Sequence, residues 1–429
     1  MNFTLFIALA VLSTSFLLLM FVLALFEPSL PYKIAKRVTA PLDSEEFRRI
    51  LGALTAAEVH RRNRLEVLTN GEVYYEAELA AIRTARHNIN MEAYIFKKGE
   101  VARRFVEALT ERARVGVQVN LLLDALGSFA TPLAYFKDLT DAGGRVDFYH
   151  SVRWFTLPRI NNRTHRELIV IDGMMGFLGG AGVGDHWLKP HGRGNRKRRW
   201  RDTMFRVDGD AVRELQSTFA ENWLETTGEI LSESAYFPCC EAPGPTTALV
   251  VGSAPTAGHS TRIRMLFQTL LAAAQRSIHI TSPYFIPDRS ARAEMIRAIH
   301  ERGVDVKIIN PGAHTDHLLT RRSSRRVYGA LLRAGARIYE YQPAMIHTKT
   351  MIIDRMWSVV GSSNFDHRSF GLNDEVNLAA YDPGLAERLE ADFARDLSES
   401  RPVTYHEWRQ RSILERGHEA LGWLLERQQ

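Results

Sequence analysis

The chain carries the same frame of residues twice. His165-Arg166-Glu167-Leu168-Ile169-Val170-Ile171-Asp172 is followed by Gly179-Gly180, and His347-Thr348-Lys349-Thr350-Met351-Ile352-Ile353-Asp354 by Gly361-Ser362-Ser363-Asn364. The spacings agree: 347 − 165, 354 − 172 and 361 − 179 are each 182. Three landmarks at one offset mark an internal duplication, which restricts the fold to two like units. On an extended strand alternate residues share a face, so His347 and Lys349 point the same way, with Met351 and Ile353 continuing the row. An imidazole beside an ammonium suits attack at phosphorus while the phosphate oxygens are held.

The periodicity around both frames alternates between helix and strand. In the first copy residues 71–85, 101–114 and 132–142 read as helices, and 88–96, 117–123, 146–149, 167–172 and 175–178 as strands. In the second, helices are expected at 261–274, 291–302 and 318–334, and strands at 277–281, 304–310, 337–341, 350–353 and 357–360. That order predicts an α/β fold of two layered halves packed about a pseudo-twofold axis, both frames meeting at the seam. Residues 67–228 form the first half and 261–400 the second. Residues 229–260, rich in Pro, Gly, Ser and Thr, read as an inter-domain linker with room for a short strand at 249–251, and 401–429 as a helical tail.

Residues 3–26 hold no charged side chain. As a helix they would extend ~36 Å, enough for a hydrocarbon core of ~30 Å. A cleaved signal peptide has a basic start and a shorter apolar run, so residues 1–30 read instead as one transmembrane anchor. Lys33, Lys36, Arg37, Arg48 and Arg49 follow it, which predicts a single-pass protein of the cell's inner membrane with its body on the cytoplasmic side. Residues 31–66 read as a juxtamembrane linker with a short amphipathic piece. The net charge of +6 favours anionic partners without choosing between lipid and nucleic acid. Cys239 and Cys240 are adjacent and supply neither a disulfide framework nor a zinc site. His314 and His317 lack further ligands in a metal-binding pattern, and no phosphate-loop or dinucleotide glycine fingerprint is present.

The two frames resemble the HxKxxxxD motifs of the phospholipase D superfamily. Met91 to Phe96, Asp124 to Ser128, Trp200-Arg201-Asp202-Thr203, Ser282 to Asp288, Gly361 to Asp366 and Leu372 to Glu375 look more specifically like bacterial cardiolipin synthases, over roughly residues 68–408. The resemblance implies two phospholipase D-like α/β/α sandwiches. It also implies a two-histidine ping-pong with no cofactor and no metal: one imidazole forms a phosphohistidine, and the other protonates the leaving alkoxide and then activates the incoming alcohol. Precedent leans to His165 as nucleophile, while the residues leave both assignments open. By the same resemblance Glu375 fixes the tautomer of His347, and Asp202 that of His165. Lys349 and Asn364 hold non-bridging oxygens, with Ser362, Gly179 and Gly180 beside them. Asp172 and Asp354 brace the motif strands.

The first motif departs from the pattern. Glu167 stands at the lysine position, and Gly182 at the position of Asn364. A carboxylate ~4 Å from a phosphate is repelled by up to ~4 kcal/mol at an effective dielectric of 20. Glu167 must therefore turn aside, pair with an arginine or be protonated. Arg163 and Arg166 are the nearby candidates to pair with it or to supply the missing positive charge. Basic clusters at 193–201 and 321–326 suit capture of anionic head groups, with Arg325 the direct contact that the resemblance implies. Trp154, Phe155, Leu157, Trp187 and Leu188 fit either a membrane interface or the core. Three functions remain: a phosphatidyltransferase joining two phosphatidylglycerols, or a related donor and alcohol acceptor; a phosphodiesterase resolved by water; and a non-catalytic lipid-binding protein. The anchor disfavours nucleic acid as substrate.

Overall fold

The computed structural model describes residues 3–26, 32–34, 38–151, 161–189, 199–239, 244–253, 262–412, 415–417 and 419. Trp154, Phe155 and Leu157, Arg193, Arg196, Lys197 and Arg198 of the first basic cluster, Lys36, Arg37, Cys240 and most of the tail beyond residue 412 lie outside the described residues.

The apolar amino-terminal run forms α1 (Phe3–Phe26), long and apolar enough to cross a membrane by length and composition. Next come α2 (Glu45–Thr55), β1 (His60–Thr69), α3 (Gly71–Thr84), β2 (Asn88–Ala93), α4 (Glu100–Arg114), β3 (Gln118–Asp124), α5 (Lys137–Asp141) and β4 (Arg145–Tyr149). The first motif lies on β5 (Leu168–Ile171) and β6 (Met175–Gly179), followed by α6 (Asp185–Leu188), β7 (Thr203–Gly209) and α7 (Val212–Thr227). The second half repeats the plan with β8 (Thr246–Ser253), α8 (Arg262–Ala273), β9 (Ser277–Thr281), α9 (Arg289–Arg302), β10 (Asp305–Pro311), α10 (Leu318–Ala334) and β11 (Arg337–Tyr341). Its motif lies on β12 (Thr350–Ile353) and β13 (Trp357–Gly361), followed by α11 (His367–Gly371), β14 (Glu375–Tyr381) and α12 (Pro383–Ser398). β15 (Ser400–Val403) and α13 (Tyr405–Arg409) end the described body.

The strands join in one sheet ordered β15-β11-β10-β9-β12-β13-β14-β8-β1-β7-β6-β5-β2-β3-β4. Each half contributes three parallel strands, β4-β3-β2 or β11-β10-β9, and then an antiparallel run through its motif. The halves join where β1 and β8 pair antiparallel near His60 and Ala248.

These two strands mark a difference from the expected boundaries. β1 begins inside the expected juxtamembrane linker, and β8 occupies eight residues of the expected inter-domain linker. The charged, half-exposed residues of β1 conceal its alternation, and β8 extends the short strand anticipated at 249–251 on both sides, through Thr246, Thr247 and Gly252, which are not large apolar residues. α2 is the amphipathic piece anticipated before β1. Ser44 caps it by accepting a hydrogen bond from Phe47 N at 3.0 Å. Its Phe47 packs edge-on to Trp357 at 5.6 Å, within the core of the second half.

A second core fills the first half between β2, β3, α3 and α4. A third is shared, with Val170, Leu178, Phe205 and Val207 from one half and Ile346, Ile352, Val360 and Val376 from the other. At about 1.5–3 kcal/mol for each fully buried large side chain, this shared core binds the halves into one body.

Candidate active site

Each motif strand ends in an aspartate at positive φ, 52° at Asp172 and 54° at Asp354. That conformation is unfavourable for a residue with a Cβ. Three backbone hydrogen bonds offset it at each site. Asp172 accepts from Arg86 N, His87 N and Asn88 N at 2.7–2.9 Å, and Asp354 from Gln275 N, Arg276 N and Ser277 N at 2.8 Å. Both carboxylates thus clamp the entry to the neighbouring strand, β2 or β9.

The histidines stand at the opposite ends of their strands, where the two halves are stitched together. Thr164 bridges to Asp374, and Arg201 to Ile346. His165 N donates to Asp374 O at 2.8 Å, and His347 N to Arg201 O at 2.7 Å. Each stitch sets a histidine beside the residue that follows its bridge partner in the other half. His165 Nδ1 lies 3.0 Å from Glu375 Oε1, and His347 Nδ1 lies 2.9 Å from Asp202 Oδ2. The pairing is therefore crossed, which corrects the expected assignment of Glu375 to His347 and of Asp202 to His165. The stitches dictate the exchange, because each carboxylate follows a residue hydrogen-bonded to the other half's histidine segment.

Both carboxylates are buried and further held. Glu375 also accepts from the Ser362 hydroxyl, and Asp202 from Trp187 Nε1 at 3.2 Å and Thr203 N at 2.8 Å. The Lys349 ammonium lies 3.1–3.2 Å from the His347 ring nitrogens and donates to His347 O at 3.0 Å. Burial, joined by the Lys349 charge, pulls the His347 pKa below its ordinary value, against the pull of Asp202. Burial also lowers that of Lys349, with Asp202 and Glu375 opposing. For Asp202 burial pushes up, but His347 and Lys349 together hold it below the usual carboxylate value. Gly180 is required by this crowding: a Cβ there would lie 2.9 Å from Asp202 Oδ1 and 3.1 Å from both His347 O and Lys349 Nζ. Asn364 is buried, and its Oδ1 has no partner among the described residues.

A model described as cardiolipin synthase, PLD-like domain, matches the chain twice, over residues 79–223 and 267–397. A cardiolipin synthase of Geobacillus sp. (strain WCH70) is 37% identical over 363 residues, covering 84% of this chain and 71% of that protein. The chain belongs to this cardiolipin synthase family. The major cardiolipin synthase of Bacillus subtilis (strain 168) is 36% identical over 367 residues, 85% of this chain and 75% of that one. In fold the chain is similar to the phosphatidylserine synthase of Haemophilus influenzae Rd KW20, with a TM-score of 0.63 at 14% identity over 89% of this chain and 96% of that one.

The first motif differs from the second in two places that fit one another. The Glu167 carboxyl turns aside, accepting hydrogen bonds from the backbone N–H of Ile95 at 3.3 Å and of Tyr94. It occupies the space above Gly182, where a Cβ would meet Glu167 Oε1 at 2.8 Å and Ile95 O at 2.6 Å. Burial pushes the Glu167 pKa well above the usual carboxylate range, against the backbone N–H groups and Lys349, which favours the protonated acid over the carboxylate. Neither neighbouring arginine partners it. Arg166 is buried and donates to Thr218 O, Glu221 and Ser253 O. Arg163, expected to bind phosphate, donates to Asn162 O and His150 O and lies 3.6 Å from Asp124. Arg325, the expected head-group contact, lies 3.4 Å from the buried Glu340, which Arg321 also meets at 3.4 Å. All three are turned to internal acceptors because buried carboxylates and carbonyls within reach need donors.

Several residues beside the histidines have no site role assigned by the sequence pattern. The Tyr94 ring stands 5.1 Å from that of His165, and the Tyr284 ring 6.4 Å from that of His347. They occupy matching places after β2 and β9, but 284 − 94 is 190, so a search at the fixed offset of 182 passes over them. Trp187, left between interface and core, is core; its ring and that of Trp200 lie 5.8 and 5.5 Å from His347. Tyr284 donates to Asp316 at 2.5 Å, beside His317. Among the described residues no three His, Cys, Asp or Glu side chains are grouped to hold a metal ion.

Proposed function

We propose that the chain is a membrane-anchored phosphatidyltransferase that joins two phosphatidylglycerols into cardiolipin and releases glycerol. The observation that carries this reading is the crossed pair, His165 on Glu375 and His347 on Asp202, with Lys349 against one imidazole only.

That inequality supports one division of roles. A nucleophile must be neutral, and burial with Lys349 favours the neutral form of His347, while Asp202 on Nδ1 orients Nε2 for attack, with the Lys349 ammonium 3.2 Å from it to take up the phosphate oxygens. His347 attacks phosphorus and forms the phosphorus–nitrogen bond. The phosphorus–oxygen bond to the glycerol head breaks, and His165, oriented by Glu375 on its Nδ1, gives the departing alkoxide a proton. His165 then takes the proton of the second lipid's hydroxyl, whose oxygen displaces His347 and completes the new phosphodiester. Lys349 and Asn364 hold the non-bridging oxygens, with Ser362 orienting Glu375 from behind. A neutral Glu167 spares the phosphate a repelling charge. The helix α1 anchors the chain, and the basic residues after it favour a cytoplasmic body.

Purified protein given labelled phosphatidylglycerol should form cardiolipin with or without EDTA, and acid-sparing digestion should recover the phosphoryl group on His347. Phosphatidic acid instead of cardiolipin would make the protein a hydrolase. Neither product, with no phosphohistidine, would leave a lipid-binding protein. Label on His165 would reverse the roles.

A further inference from the structure

The loops after β2, β3, β9 and β10 surround the paired histidines, and two of them present apolar side chains to the outside. Residues 125–133, after β3, expose Leu126 at 44%, Phe129 at 79% and Leu133 at 52%, and Leu318 is 59% exposed at the matching place after β10. The other large apolar residues that the described body exposes are spread over α2, α3, α7 and turns. The first of these loops is firmly built. Asp124 Oδ1 accepts from Leu126 N and Gly127 N at 2.9 Å, Ser128 Oγ donates to Tyr94 O at 2.9 Å, and Thr131 Oγ1 donates to Phe96 O at 2.6 Å. It is thereby fastened to the tyrosine beside His165. A rigid loop that holds a phenylalanine and two leucines in water is a contact surface without its partner.

The anchor says which partner. Tyr32, six residues beyond the end of α1, donates its N–H to Ser290 Oγ at 3.0 Å and its hydroxyl to Asp288. Asp288 caps α9 directly after the loop that carries Tyr284. Six residues span at most about 20 Å, so the end of α1 is tethered within that distance of the start of α9, where the cleft loop that carries Tyr284 ends.

We propose that residues 125–133, together with Leu318, form a second membrane-contact surface, seated in the bilayer that holds α1, so that the cleft opens at the level of the lipid phosphates. The inference rests on the reading of α1 as an anchor. Apolar side chains at the headgroup boundary add binding in proportion to their buried area, and the Tyr32 clasp keeps the body from turning away. Substrate phosphates then reach the histidines without their acyl chains leaving the membrane.

The test uses the full chain in phosphatidylglycerol–phosphatidylcholine vesicles, with Cys239→Ser and Cys240→Ser as background. An environment-sensitive fluorophore on Phe129→Cys should emit to the blue and be quenched by phosphatidylcholine carrying a shallow nitroxide. The same label on Val115→Cys, at the turn between α4 and β3, should do neither. A label at 129 that reads like the one at 115 overturns the proposal, as does a blue shift without nitroxide quenching, which would mark a protein partner. The double variant Phe129→Asp/Leu133→Asp should raise KM for vesicle phosphatidylglycerol about a hundredfold, each lost Phe or Leu contact being worth about tenfold. Turnover of a short-chain, monomeric phosphatidylglycerol should be unchanged; equal loss on both substrates also overturns it. Immersion without any turnover would retain this surface and sink the transferase reading, and turnover without immersion would do the reverse.

Discussion

Replacing Glu167 separates a neutral structural acid from a missing phosphate ligand. Its carboxyl is buried and faces two backbone donors, and its pKa stands well above the ordinary 4.5. Above pH 4.5 the unfolded chain favours the carboxylate and the folded one the acid, so folding favours proton uptake there. A group raised in this way contributes stability that is complete below its unfolded pKa and lost as pH rises toward the folded one, at about 1.4 kcal/mol per pH unit. Glu167→Gln keeps an acceptor for Ile95 N and Tyr94 N and removes the titration. The variant should match the parent within about 1 kcal/mol near pH 4.5 and gain on it by that slope from pH 5 upward. Glu167→Lys should instead leave two backbone donors unpaired, at about 1–3 kcal/mol each, and bury a second ammonium near Lys349. A loss of about 4 kcal/mol or more is a large share of a typical 5–15 kcal/mol. Denaturant unfolding at pH 5, 6 and 7, with cardiolipin formation measured in parallel, reads both. Equal pH slopes for the parent and the glutamine variant, or a lysine variant with unchanged stability and turnover, would refute the neutral-acid account.

Asp202→Asn and Glu375→Gln should each lower turnover at least about a hundredfold, since each leaves its imidazole in the wrong tautomer. Ring-nitrogen NMR should show Asp202→Asn disturbing His347 and Glu375→Gln disturbing His165; the uncrossed pattern would refute the pairing described here. Asp354→Ala removes three hydrogen bonds and leaves a residue of positive φ, and should lower stability by about 2–4 kcal/mol while the folded fraction retains the chemistry; a stable but inactive variant would place the carboxylate in the reaction. The acid limb of kcat/KM should report protonation of His347 and lie below pH 6.5, as the depressed pKa requires, and Lys349→Met should move it upward by removing a neighbouring positive charge. An unmoved limb would assign that titration to another group.

The motif strands and the two-unit plan were legible because a β-strand, an aspartate turn and a glycine end have local signatures that duplication preserves at one offset. Helix α10 (Leu318–Ala334) and strands β9, β11 and β12 occur at the anticipated residues, since their apolar spacing is unambiguous. β1 was hidden by Arg61, Arg62 and Arg64, which a half-exposed strand tolerates on its open face. Which carboxylate serves which histidine could not be read, because it depends on how the halves are stitched at Thr164–Asp374 and Arg201–Ile346, and no local pattern encodes a contact between distant segments. Arg163 and Arg325 misled for a related reason: a positive charge near a motif suggests phosphate, but their ties to Asp124 and Glu340 lie in other elements.

The exchange of carboxylates across the seam has a consequence for ancestry. Neither repeat is a self-sufficient catalyst, since each lends the group that readies its sibling's imidazole. A single unit of this kind can work only as a symmetrical homodimer whose subunits trade acids. Joining two such subunits in one polypeptide lifts the demand that they be identical, so Glu167 and Gly182 can stand in one copy where Lys349 and Asn364 stand in the other.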